Sequence, residues 1–95
     1  MWIDKVIIPP IIEEKLERKH QVLLDEVHDA LLNHTRIRFA EKGHRVDEDV
    51  YAAFGRTFAG RYLAVFFVYK PVTRTAIVIS ARDMSRSEKK RYGRK

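Results

Sequence analysis

The chain has no cysteine, and among its 95 residues only three prolines, four glycines and one tryptophan. Without thiols there can be no disulfide, thiolate nucleophile or cysteine metal site, and nothing here requires an oxidising compartment. No apolar run approaches the ~20 residues of a membrane-spanning helix. The opening MWIDKVIIPP, with an acid at Asp4, is too short an apolar run for a signal peptide. A soluble protein in the cytoplasm is the expectation. Glycine-rich phosphate loops, a serine nucleophile elbow and zinc spacing are also missing, and His28, His34 and His44 show no ligand spacing with one another. No metal site and no cofactor are therefore expected. Acidic residues are scarce in one half: residues 51–95 hold 11 Lys/Arg against two Asp/Glu, whereas residues 1–50 hold eight against eleven. The total of +6 conceals a basic second half, which suits a polyanionic partner because phosphate neutralisation supplies most non-specific nucleic-acid affinity. A solvated basic helix and tail is the competing account of the same charge.

What is present suffices for one small core, so residues 1–95 read as a single domain. Trp2–Ile8 has the β-branched content of a short strand, stopped by Pro9-Pro10. Ile11–His20 reads as a helix with acids early and cations late, and Leu23–Leu32 as a second, with Leu24, Val27, Ala30 and Leu31 at helical spacing. The period then becomes two. Arg36–Glu41 has the polar side of an edge strand, and a loop through Gly43 connects it to Val50–Thr57, with Ala52, Phe54 and Arg56 on one face. Tyr62–Tyr69 is apolar on both faces and reads as the central strand. Between Ala76 and Tyr92 a strand gives way to a basic helix, opened by the capping box Ser85-Arg86-Ser87-Glu88. Strict alternation places Arg82 at this junction on the side of Ala76 and Val78. The order β-α-α-β-β-β-β-α predicts an α+β fold of two layers, an antiparallel meander with helices packed on one face.

Arg56, Arg61 and Arg82 lie at or beside strand ends of this meander, and a guanidinium presents a planar fork that matches phosphate. Read singly, each is an ordinary surface arginine with its stem on the sheet; it is the clustering that suggests one anion-binding hollow. Glu17, Lys19 and His20 put a carboxylate, an ammonium and an imidazole within one helical turn, a set fit for proton transfer. The plainer account of that turn is a helix end carrying dipole-compatible cations. Tyr51 and Tyr92 are candidates to stack bases beside Lys89 and Lys90, while the other aromatics read as core.

These segments also resemble a known family. Lys19-His20, Val22 and Glu26-Val27 are similar to the "KHGV…EV" segment of the BrnT toxins. Gly55-Arg56-Thr57 with Gly60-Arg61-Tyr62-Leu63 resembles their "G(R/Q)T…GRxL" hairpin, and Ile79-Ser80-Ala81-Arg82 followed by Glu88 and Tyr92 their closing "ISAR…ER…Y". The resemblance runs from about Ile7 to Lys95. Gln21 stands where the family usually has glycine, Leu23 where a serine or threonine would cap the second helix, and Ile7-Ile8-Pro9-Pro10 replaces a tryptophan-aspartate pair. The resemblance implies a RelE-like fold and a ribonuclease toxin of a type II toxin–antitoxin pair, held in a hetero-oligomer by a BrnA-like antitoxin. It points to Glu17, Lys19, His20, Arg56, Arg61 and Arg82. The expected chemistry is metal-independent RNA cleavage by 2′-hydroxyl attack; a basic module that binds nucleic acid or docks a partner without catalysis is the alternative.

Overall fold

Eight elements follow one another: β1 (Lys5–Ile7), α1 (Pro10–His20), α2 (Leu24–Leu32), β2 (Arg36–Glu41), β3 (Val50–Arg56), β4 (Tyr62–Lys70), β5 (Thr75–Asp83) and α3 (Arg86–Tyr92). The computed structural model describes residues 1–33 and 35–93, so His34 lies outside them. The sheet order is β1-β5-β4-β3-β2. The doubly apolar β4 is central, and the arginine-bearing β2 is an edge, as the patterning requires. β2 to β5 form an antiparallel meander, but β1 pairs parallel with β5, Lys5 against Thr75. The sheet is therefore mixed, not wholly antiparallel. Pro9 and Pro10 lack ladder donors and stop β1 after three residues, and the chain crosses through both helices before re-entering at the opposite edge. No helix among the described residues is long and apolar enough to cross a membrane.

The core lies between α1, α2 and one face of the sheet, where Leu16, Val22, Val27 and Leu31 meet Leu63, Val65, Phe67 and Val78. Two backbone features set that layer. A Cβ at Gly55 would stand 2.0 Å from the Ala30 carbonyl oxygen, so α2 rests directly on β3 there and only glycine fits. α1 ends on Gln21 in the left-handed region, φ 50° and ψ 42°, and its N–H closes the turn on Glu17. This is the conformation for which glycine is the usual choice.

α3 departs from the expected single helical layer. Tyr62 and Arg82 point away from Leu63 and Ala81, the core residues beside them, and both meet α3 on the open face. The alternation expected along β5 also breaks. Phe67 pairs with Val78 but Phe66 pairs with Ser80, leaving Ile79 as a bulge. One extra residue exchanges the two faces. Ala81 consequently joins Ala76 and Val78 in the core, and Arg82 turns to the opposite side from the one that strict alternation gives it.

Candidate functional site

Arg56, Arg61, Arg82 and His20 all reach the same end of the sheet, at the close of β3 and β5, the start of β4 and the last residue of α1. They do not line one hollow. Arg61 lies on the helical side, where its five N–H donors are all engaged. Nε donates to Asp83 Oδ1 at 2.8 Å, Nη1 to the Gln21 carbonyl at 2.7 Å and to Glu26, and Nη2 to the His20 carbonyl at 2.9 Å and to Asp83 Oδ2. An arginine so saturated has no donor left for phosphate. The expectation that Arg61 binds an anion is therefore corrected: it pins the α1–α2 turn to the strand ends.

On the open face, Arg82 forms a bidentate pair with Glu88 (2.6 and 2.9 Å) and lies over the Phe66 ring. Glu88 also accepts from the Ser85 N–H while the Ser85 hydroxyl accepts from the Glu88 N–H, completing the capping box of α3. The Arg82 guanidinium, and with it the Ser85 contacts, holds the Glu88 carboxyl down at about pH 2. Arg56 and Lys89 approach the Tyr62 ring, at 5.4 and 5.9 Å from its centroid. The Tyr92 ring meets Tyr62 edge-on, with Arg36 over its face at 5.7 Å. A cleft of about 580 Å³ opens here between Arg56, Phe58, Tyr62, Lys89 and Tyr92.

Asp83 joins the two sides. Its carboxyl is held below the usual range mainly by the hydrogen bond from Arg61, with further help from the charges of Arg61, Lys89 and His20. The end of α1 and the side of α3 therefore both approach this carboxylate, at the residue next to Arg82. Asp83 and Glu26 were missed in the sequence because their partner is 22 and 35 positions away.

The remaining expected residues are distributed as follows. Glu17 is exposed beside an acidic hollow with Glu13 and Leu23, and Lys19 and Lys90 are exposed. Tyr51, expected beside Lys89 and Lys90, does not lie at this end of the sheet but stacks on Phe67 at the opposite end of β3 and packs against the core. Tyr92 and Lys89 do reach the open face.

No curated protein gives a significant match. The crystal structure of the Brucella abortus ribonuclease toxin BrnT is similar in fold, with a TM-score of 0.63 at 20% identity over 86% of this chain and 97% of that one. The family described as "ribonuclease toxin, BrnT, of type II toxin-antitoxin system" matches residues 13–88, which include every arginine of the site. The chain belongs to the BrnT family of ribonuclease toxins of type II toxin–antitoxin systems.

Proposed function

We propose that this chain is a single-domain, RelE-like cytoplasmic toxin that cleaves single-stranded RNA without a metal ion. The 2′-hydroxyl attacks the adjacent phosphorus, its proton passing to a base. The O2′–P bond forms as the P–O5′ bond breaks, and the departing oxygen takes a proton, leaving a 2′,3′-cyclic phosphate and a 5′-hydroxyl. Such a reaction needs a base, an acid and cations for the charge gathering on the phosphorane. The observation that supports this reading is Asp83, whose carboxylate accepts from Arg61 at 2.8 Å and feels the charges of His20 and Lys89, while its backbone carbonyl accepts from Arg82 at 3.1 Å on the open face. Arg56, Arg82 and Lys89 bind and stabilise the phosphate. His20 transfers protons, with Lys19 and Glu17 beside it on α1, and Arg61 acts by holding the His20–Gln21 backbone in place. A BrnA-like antitoxin neutralises the toxin by covering this basic end.

Labelled RNA incubated with the protein in EDTA is expected to give fragments ending in 2′,3′-cyclic phosphate; intact, retarded RNA would instead mean a binding module. Arg82→Ala is expected to lower the rate at least about a hundredfold, the scale of losing one charge-stabilising donor. The complex with antitoxin is expected to be inactive, and free ribonuclease activity in it would count against a covered site.

A further inference from the structure

A second cleft, of about 290 Å³, lies on the open face between β2–β3 and α3, lined by Arg36, Arg38, Phe54, Glu88, Arg91 and Tyr92. We infer that it is a nucleotide subsite, holding the base and phosphate of an unpaired RNA residue adjoining the one that is cleaved. The inference rests on the ribonuclease reading of the neighbouring cleft, with which this one shares Tyr92.

The register builds the cleft. Arg36 pairs with Phe54 and Arg38 with Ala52, so the two arginines stand side by side on the face that carries the Phe54 ring. Phe54 is half-buried and supplies an aromatic platform. Tyr92 is set edge-on to Tyr62 by an interplanar angle of 78°, with Arg36 over its ring. Rings and guanidinium planes together are how unstacked bases are held, while Arg38 and Arg91, both exposed, suit the phosphate. Glu88 decides against a site for phosphate alone. Its carboxylate lines the cleft in ionised form, repels anions and asks for a donor, which the edge of a base supplies. Among the described residues its Oε2 accepts only from Arg82 Nη2, which leaves room for one N–H more. The volume sits at the lower end for small-ligand sites, in keeping with one nucleotide.

The test measures binding of the full chain to a short 2′-O-methyl RNA, which lacks the attacking hydroxyl and stays intact, against an abasic strand of the same length. The parent protein is expected to prefer the base-bearing strand about tenfold. Tyr92→Leu is expected to remove that preference and Tyr92→Phe to keep it. Arg38→Ala and Arg91→Ala are each expected to weaken binding severalfold and to raise KM for cleavable RNA more than they lower kcat. Equal affinity for the two strands, or Arg38→Ala and Arg91→Ala variants that bind as the parent does, would overturn the subsite while cleavage by the parent left the ribonuclease reading intact. Retention of the base preference without any cleavage would sink the ribonuclease reading and spare the subsite. Binding of an acidic peptide but of neither strand would assign the cleft to a protein partner and overturn the inference.

Discussion

At the scale of single residues, the arginines divide by the company they keep. Arg61 is three-quarters buried and spans two carboxylates and two helix-end carbonyls, so its loss strands Glu26 and Asp83 as well as the His20–Gln21 turn. Arg61→Ala is expected to cost about 2 kcal/mol of unfolding free energy, and Arg61→Lys to recover only part of it, since an ammonium cannot reproduce the fork. Urea unfolding measures both; a cost below about 0.5 kcal/mol in the alanine variant would show that Arg61 is not a pin. Arg82 and Glu88 make a testable pair of another kind. Glu88 titrates at about 2 when folded and at 4.5 as an ordinary glutamate, so its ion pair stabilises fully above about pH 5 and is lost as the pH falls towards 2. With Arg82 40% exposed, solvent reduces the contribution to about 1 kcal/mol. The stability difference between the parent and Glu88→Gln is therefore expected to be constant from pH 7 to 5 and to vanish on acidification, as read from urea midpoints at each pH. A difference that persists at pH 2 would mean that Glu88 acts through packing. The sequence could suggest that these arginines matter and could not tell a pin from a phosphate ligand, because that depends on carboxylates brought near only by folding.

At the scale of elements, local signals gave the order of strands and helices, and the exceptions came from packing. Amphipathic spacing in α2, two-sided apolarity in β4 and the Ser85–Glu88 capping box are properties of neighbouring residues, so the sequence displays them. The parallel pairing of β1, the bulge at Ile79 and the seat of α3 on the open face depend on residues far apart, and they decide which way Arg82 faces. Gly55 is the clearest case of a residue whose reason lies in another element. Its role in a hairpin motif is legible, but the requirement for glycine comes from the Ala30 carbonyl lying on it. Gly55→Ala must push α2 away from β3, which overpacks the core by about 2–3 kcal/mol. For a domain of this size that is expected to lower Tm by at least about 10 °C. A melting curve within about 2 °C of the parent would show that the helix can shift at little cost.

At the scale of the whole molecule, the division of charge along the chain becomes a division in space only in part. The acids of α1 and α2 lie on one layer, while Arg36 and Arg38 come from the acidic half of the sequence and join Arg56, Lys89 and Arg91 of the basic half on the opposite face. Counting charge by halves therefore located most of the cations of the open face and missed two of them, because β2 reaches that face through its pairing with β3. The arrangement has a consequence for ionic strength. Each phosphate neutralised on single-stranded RNA releases counterions and contributes about −0.7 to the slope of log K against log salt concentration. Five contacts spread over the two clefts give a slope of about −3.5, and removing Arg38 and Arg91 together is expected to bring it to about −2. Lys15→Ala, on exposed α1, carries the same loss of charge per residue and is expected to leave the slope where it was. If the Lys15 variant lowered the slope as much as a substitution on the open face, RNA would be held by net charge, and the division into two faces would not govern binding.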